Sequence, residues 1–295
     1  MELGLKEKVI IVTGGGSGIG ASVVNNLSLI GATPVIIDKS KPDDTFYKII
    51  KKRCPRAIWK TLDLCDDQDC KKAVKDILTK LSKIDGLVNN AGINDTVGIS
   101  AGPNEFRKSL DRNLVHYYTM TNLCIMELIK TKGSIVNVSS KVVLTGQSGT
   151  SAYAAAKGGI LALTREWAAE HSACGLRVNA VIPGEVMTPM YEKWLEGFKK
   201  PDEKLKQITR RIPLEKRMTK VEELAMPIVF LLSQWADTLQ GSFLGVDGGY
   251  STWIEPLLKK WPFKMKIWAL VFKSIQKNER LKEKSKNPPV SNPTR

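Results

Sequence analysis

The 295-residue chain is poor in side chains that hold metal ions. It has only two histidines, His116 and His171, and its cysteines fit no metal-binding spacing. The five cysteines, at positions 54, 65, 70, 124 and 174, are an odd number and fit no complete disulfide framework. We therefore predict a protein without a metal site, with reduced thiols as in the cytoplasm.

Long apolar runs are missing as well. The run Ile267 to Phe272 has six residues, whereas a helix that crosses a bilayer needs about 20. The N-terminus leads through a charged turn into a strand-like run, with no secretory signal. From these features we expect a cytoplasmic protein, and the 42% apolar content is ordinary for one with a large core.

Positive charge, by contrast, is abundant and unevenly placed. The net charge is +15, and residues 252–295 carry +8 of it with eleven Lys or Arg and three Glu. No recognition motif for nucleic acid accompanies this charge, so we predict no such partner. Lysines alternate with Trp, Phe and Leu between Leu257 and Lys266, which suits either a helix packed on a neighbouring subunit or peripheral contact with an anionic membrane. Residues 282–295 are predicted to be disordered.

Strand-like and helix-like segments alternate through residues 1–251. This order predicts one α/β domain, a doubly wound parallel sheet with helices on both faces. Residues 185–215 interrupt the alternation after a strand end, where open α/β sheets bind ligands, and we interpret them as a substrate lid. The predicted strands are 9–12, 34–38, 57–62, 86–89, 133–139, 177–182 and 242–246. The predicted helices include 67–81, 104–130, 151–172 and 221–233.

A glycine-rich turn, Thr13 to Gly20, joins the first strand to the first helix. Such a turn offers backbone N–H groups and the positive end of a helix to a pyrophosphate, although it could also be a tight turn without a ligand. Asp38 ends the second strand, where a carboxylate can bind the ribose hydroxyls of NAD and repel the extra phosphate of NADP. Lys39 could attract that phosphate, but Asp38 blocks it more directly, so NAD is predicted.

Tyr153 and Lys157 are four residues apart in a segment rich in helix formers, so they share one helix face. A lysine ammonium beside the phenol is expected to lower the tyrosine pKa from about 10. Ser140, at the end of a predicted strand, could hydrogen-bond the same substrate oxygen. Asn113 is a poor residue for the interior of a helix, because its side chain competes for backbone hydrogen bonds.

These features occur together in one order, and from Leu5 to Tyr250 the chain resembles the short-chain dehydrogenase/reductase family, which has a Rossmann-type fold. The resemblance implies hydride transfer between a hydroxyl-bearing carbon and NAD. It also implies that Asn113 opens a helix kink and holds a water of a proton relay. A homotetramer through helices 104–130 and 151–172 is implied too. The implied catalytic residues are Asn113, Ser140, Tyr153 and Lys157.

The same resemblance implies the cofactor contacts, with Asp63 against the adenine and Asn89 to Gly92 beside the cofactor. An alternative for Asp63 is a helix cap before Asp66. The implied cofactor-binding residues are Gly14, Ser17, Gly18, Ile19, Gly20, Asp38, Asp63, Leu64, Asn90, Ala91, Gly92, Tyr153, Lys157, Pro183, Gly184, Val186 and Thr188.

Within the family, stretches such as 92–95, 112–118 and 185–194 look especially like L-fucose dehydrogenases, which oxidise the sugar at C1 to its lactone. Two alternatives concern the substrate, which could be a hydroxysteroid or retinoid, or a fatty-acyl carrier. A third alternative is a non-catalytic NAD-binding scaffold that acts through the basic tail. Polar side chains could bind sugar hydroxyls, while Met, Tyr and Trp could cover an apolar face. The predicted substrate-binding residues are Asn94, Ser140, Lys141, Gln147, Tyr153, Glu185, Met187, Tyr191 and Trp194.

Overall fold

The computed structural model describes residues 2–252, in which β-branched runs form the strands of one parallel sheet. The strands are β1 (Val9–Thr13), β2 (Thr33–Asp38), β3 (Ile58–Thr61), β4 (Gly86–Asn89), β5 (Ser134–Val138), β6 (Arg177–Pro183) and β7 (Phe243–Val246). The helices are α1 (Gly18–Leu29), α2 (Asp44–Arg53), α3 (Asp67–Leu81), α4 (Pro103–Leu110), α5 (His116–Lys130), α6 (Val142–Thr145), α7 (Ser151–His171), α8 (Pro189–Glu196), α9 (Pro201–Thr209) and α10 (Val221–Leu232).

The strand order is β3-β2-β1-β4-β5-β6-β7, and all six neighbouring pairs are parallel. The chain moves outward from β1 to β3 and then crosses back to place β4 on the other side of β1. Open α/β sheets bind ligands at the carboxyl ends of the strands beside such a reversal. The predicted doubly wound fold is therefore confirmed, and it brings the ends of β1, β4 and β5 to one edge.

Successive residues of β1 face opposite sides of the sheet, and each side has its own apolar core. Ile10 and Val12 pack in the core covered by α1 and α10. Val9 and Ile11 pack in the core that α3 and α5 cover. Because both faces are buried, the strand is a continuous apolar run, which is the pattern that predicted it.

Three parts of the chain differ from the predicted elements. Helix α2 was not predicted; Asp43 caps it by accepting a hydrogen bond from Phe46 N at 2.7 Å. The predicted helix 104–130 is interrupted by a π-helical turn, Asp111–Val115, that separates α4 from α5. The lid is not irregular, because α8 and α9 lie within 185–215.

Two groups of predictions are not addressed by the described residues. The predicted tail helix, its membrane or subunit contact and the disorder of residues 282–295 fall outside them, and the homotetramer stays a prediction. Between residues 2 and 252, no helix is long and apolar enough to cross a bilayer.

Candidate active site

A cavity of about 1340 Å³ opens at the carboxyl ends of the strands. It exceeds the roughly 300–1,000 Å³ of an ordinary small-molecule pocket. Nearly all residues predicted from the sequence lie on its wall. Those on the wall are Gly14, Ser17, Gly18, Ile19, Asp38, Asp63, Leu64, Asn90, Ala91, Gly92, Asn94, Ser140, Lys141, Gln147, Tyr153, Lys157, Pro183, Gly184, Glu185, Val186, Thr188, Tyr191 and Trp194.

Four residues predicted at the site are absent from the wall within the described part of the chain: Gly20, Asn89, Asn113 and Met187. Gly20 is a packing position, since a side chain there would collide with the carbonyl of Gly14. Met187 N donates to Thr219 O at 3.0 Å, and the bridge of Val186 to Thr219 fixes this part of the chain. Met190, the second residue of α8, lies on the wall instead.

The glycine turn has the shape that a dinucleotide requires. Gly14 and Gly18 have φ of +62° and +53°, values that side-chain-bearing residues rarely adopt. The Asn90 side chain donates to the carbonyls of Thr13 and Gly14 at 2.9 and 3.2 Å, which ties the end of β4 to the turn. The turn is therefore fixed by the protein itself.

The N-terminus of α1 faces this cavity through Ser17, Gly18 and Ile19. Among residues 2–252, no side chain hydrogen-bonds the first turn as a cap, and that turn holds no acid. Helix N-termini with free N–H groups bind phosphates. These observations fit the pyrophosphate of a nicotinamide dinucleotide.

Asp38 lies at the other end of the same region. Its carboxylate accepts hydrogen bonds from Gly16 N and Ser40 N, both at 2.9 Å. These bonds hold the negative charge at the end of β2, on the cavity wall beside Lys39. The carboxylate keeps free lone pairs there for ribose hydroxyls.

Asp63 and Asn89 have different surroundings. Asp63 is on the wall and accepts from Cys65 N at 2.9 Å, whereas the cap of α3 is Asp66, which accepts from two backbone N–H groups. The cap alternative for Asp63 is therefore wrong. Asn89 is fully buried and donates to Asn137 and Thr121, so it joins strands and a helix rather than lining the cavity.

Lys157 is 2% exposed and donates to Tyr117 Oη at 3.0 Å and to Val138 O at 2.9 Å. Tyr117 also donates to Val138 O, and Ser139 Oγ donates to Lys157 O at 2.9 Å. These contacts join α5, the end of β5 and α7. Burial lowers the pKa of the Lys157 ammonium to about 7.

Tyr153 and Ser140 meet on the cavity wall as predicted, but the pKa prediction is wrong for the protein residues alone. Burial raises the pKa of Tyr153 to about 12, a hydrogen bond with Ser140 lowers it, and the charge of Glu185 raises it. The Lys157 ammonium nitrogen is 5.6 Å from the centre of the Tyr153 ring and donates to other oxygens. The phenol is therefore protonated at neutral pH.

Asn113 lies within the π-helical turn and is fully buried. Its Oδ1 accepts from Ile93 N at 2.7 Å, and its Nδ2 donates to Ser109 O at 3.0 Å. A side chain on Gly92 would meet Asn113 Oδ1 at 3.0 Å and Lys157 Nζ at 3.3 Å, so these three residues are neighbours. The amide of Asn113 is committed to positioning the loop after β4.

The substrate half of the cavity has a buried ion pair that the sequence did not reveal. Lys141 Nζ is 2.8 Å from Glu185 Oε1, and the side chains are 5% and 17% exposed. Tyr191 Oη donates to Glu185 Oε2 at 2.9 Å, and the Lys141 ammonium lies 4.1 Å from the centre of the Tyr250 ring. Lys141, Glu185 and Tyr191 were predicted as substrate-binding residues, and the structure joins them in one network between the end of β5 and α8.

Other wall residues were missed by the sequence reasoning. His116 has a pKa lowered to about 4 by burial, so it is neutral near pH 7. The contact of Tyr250 with Lys141 could not be predicted, because the two residues are more than 100 positions apart in the sequence. The missed lid positions on the wall are Pro189, Met190, Lys193, Lys204, Ile208 and Arg211.

A fixed glycine turn, an uncapped helix N-terminus and a carboxylate at the end of β2 define a dinucleotide site, and Ser140, Tyr153 and Lys157 lie in the same cavity. A hydroxyl-bearing substrate next to such a cofactor can be oxidised if a side chain accepts its proton. The fold and the site therefore define a nicotinamide-dependent dehydrogenase.

Comparison with known proteins agrees with this class. Residues 14–251 match the family model described as enoyl-(acyl carrier protein) reductase, and the chain belongs to the short-chain dehydrogenase/reductase family. It is an NAD(P)-dependent dehydrogenase that acts on CH–OH donors.

Its relatives are named for different substrates. An L-fucose dehydrogenase of Bos taurus is 35% identical over 247 residues, 82% of this chain and 88% of that protein. The 3-oxoacyl-(acyl-carrier-protein) reductase FabG of Thermotoga maritima is 36% identical over 248 residues, 83% and 98% of the two chains. The crystal structure of Cj0485 dehydrogenase matches with a TM-score of 0.85 at 42% identity, covering 87% of this chain and 98% of that one.

Proposed function

We propose that the protein oxidises a hydroxyl of a small polyhydroxylated substrate with NAD, and that this hydroxyl is C1 of L-fucose or a related aldose, giving the lactone. The observation that carries the proposal is the buried network of Lys141, Glu185 and Tyr191 beside Tyr153. A sugar has several hydroxyls that can donate to the carboxylate and accept from the ammonium. The relationship to L-fucose dehydrogenase supports the same choice.

The network also argues against an apolar substrate. A steroid or retinoid skeleton has few polar groups to pair with the remaining donor and acceptor sites of Lys141 and Glu185, whereas a sugar has several. The second candidate, a hydroxysteroid, is supported only by the aromatic lid, where the ring centres of Tyr191 and Trp194 are 5.2 Å apart and those of Trp194 and Phe198 are 4.7 Å apart.

The preference for NAD rests on Asp38. Its carboxylate is fixed by Gly16 N and Ser40 N at the position where a dinucleotide presents its adenosine ribose. A phosphate on that ribose would meet this negative charge at short range. Lys39 is exposed at the same wall and offsets the repulsion only in part.

The side chains have distinct roles in the proposed reaction. Ser140 holds the reacting oxygen, Tyr153 takes its proton, and Lys157 positions the nicotinamide ribose. When bound, the nicotinamide accepts the hydride. Because the amide of Asn113 is already hydrogen-bonded, a water relay through this residue requires its backbone carbonyl.

The pKa of Tyr153, about 12, sets the pH dependence of this step. A protonated phenol donates to a carbonyl oxygen, whereas oxidation first needs the phenolate. The oxidative kcat/KM should therefore rise with pH above neutrality, and the reductive reaction should be favoured near pH 7.

The test is NAD(P)H formation at pH 7 and pH 10 with L-fucose, other 6-deoxy and parent aldoses and hydroxysteroids, each with NAD and with NADP. Tyr153→Phe should lose about 10²–10⁴-fold in turnover and keep NAD binding. Tyr118→Phe, an exposed tyrosine of α5, is the matched control. Oxidation of steroids alone would contradict the sugar assignment, and full activity of Tyr153→Phe would contradict the role of Tyr153 as proton acceptor. NAD binding without turnover on any of these substrates would support a scaffold without catalysis.

A further inference from the structure

The basic and acidic side chains of helices α8 and α9 lie at different positions relative to the cavity. Basic residues line it: Lys193 from α8, Lys204 from α9 and Arg211 just after α9. The acidic residues of the two helices lie off the wall: Glu192, Glu196, Asp202 and Glu203. The charged side chains that α8, α9 and Arg211 bring to the wall are therefore all basic, and the one acid of the lid on the wall, Glu185, is paired with Lys141.

The spacing of the basic residues explains how they share one side. Ile208 and Arg211 follow Lys204 by four and seven positions. This spacing places the three residues on one face of a helical segment. The Lys204 ammonium also lies over two lid rings, 5.9 Å from the centre of Trp194 and 5.0 Å from that of Phe198. Cation–π contacts of this kind hold an ammonium in place.

These cations lack the acidic partners that other cations on the wall have. Arg112 pairs with Asp95 at 3.0 Å, and Lys141 pairs with Glu185 at 2.8 Å. Lys193, Lys204 and Arg211 form no ion pair within residues 2–252. The lid therefore brings positive charge without an acidic partner to the cavity wall.

We propose that the lid binds an anionic group of the substrate, a carboxylate or a phosphate, so that the enzyme prefers acidic sugars to neutral ones. The proposal rests on the proposed oxidation of an aldose at C1, and it makes an acidic relative of L-fucose, rather than neutral L-fucose itself, the preferred substrate. Clefts lined by one sign of charge concentrate ions of the opposite sign, and Lys or Arg bonds to carboxylate and phosphate are among the strong hydrogen bonds of proteins. Lys141 and Glu185 then bind hydroxyls while the lid binds the anion.

The experiment measures binding by calorimetry and turnover with NAD for L-galactose, L-galacturonate and L-galactose 6-phosphate, which share the configuration of L-fucose. The acids should bind at least about tenfold more tightly than L-galactose, and the better of the two identifies carboxylate or phosphate. In Lys204→Gln/Arg211→Gln this advantage should fall about tenfold, and added salt should weaken it in the wild type. Lys206→Gln, an exposed lysine of α9 off the wall, is the matched control.

Inorganic phosphate, tested as a thermal stabiliser, separates the two hypotheses. If neither sugar acid nor phosphate ion binds better to the wild type than to the double variant, the lid inference is overturned, whatever neutral sugar is oxidised. If anions bind through the lid but no sugar is oxidised with either cofactor, the proposed sugar function alone fails. Tight binding only to an acidic carrier protein would also overturn the small-molecule assignment.

Discussion

Replacing Glu185 with Gln should destabilise the protein more than any exposed acid does. The change removes a charge that pairs at 2.8 Å with Lys141, whose side chain is 5% exposed. Breaking a buried pair from one side costs about 3–5 kcal/mol, and because Glu185 is 17% exposed we expect the lower end, about 3 kcal/mol. For a domain of this size that is a fall in Tm of about 6–12 °C.

A double variant tests whether the loss of stability comes from the unpaired ammonium of Lys141. Lys141→Met removes the orphaned ammonium, so Lys141→Met/Glu185→Gln should recover most of the loss, while Gln keeps an acceptor for Tyr191. Urea unfolding of the wild type, both single variants and the double variant gives the coupling free energy. Two results would refute the buried pair. One is that the losses in unfolding free energy of the two single variants simply add in the double variant. The other is that Glu185→Gln lowers the unfolding free energy no more than the exposed Glu192→Gln does.

Two further predictions concern single groups. Because the folded pKa of Lys157 is about 7, below the 10.5 of an unfolded lysine, its burial cost is full below pH 7 and is relieved as the pH rises. Urea unfolding should therefore show the stability of the wild type relative to Lys157→Met rising by about 3 kcal/mol from pH 6 to pH 9.5; a flat difference contradicts the buried amine. Asp38→Ala should shift the NAD-to-NADP affinity ratio at least about tenfold toward NADP by calorimetry, whereas the exposed Asp44→Asn should not.

The sheet could be predicted because its causes are local. Strands buried on both faces are mostly apolar runs, as in β1, and a glycine-rich turn between a strand and a helix is typical of a dinucleotide site. These patterns placed the strands within a residue of their observed ends. They also placed the cofactor half of the cavity, which consists of strand ends and the turns after them.

The elements that differed depend on contacts between distant parts of the chain. The π-helical turn at Asp111–Val115 accompanies the hydrogen bond from Ile93 N to Asn113, a partner twenty positions away. The helices of the lid were obscured because their charged residues alternate with apolar ones, and the sequence does not say which side faces a cavity. Helix α2 was missed although Asp43 is a good capping residue.

The two corrections in the active site have one physical cause. Tyr153 and Lys157 are neighbours on a helix, but Lys157 Nζ donates to Tyr117 and Val138 because those oxygens surround it at the end of β5. Lys141 and Glu185 are distant in sequence, yet the parallel pairing of β5 with β6 brings the residues after both strands to one edge. Burial at that edge raises the pKa of Tyr153, lowers that of Lys157 and makes the Lys141–Glu185 pair necessary. The protonation states of Tyr153 and Lys157 thus depend more on burial at the edge of the sheet than on the residues next to them in the sequence.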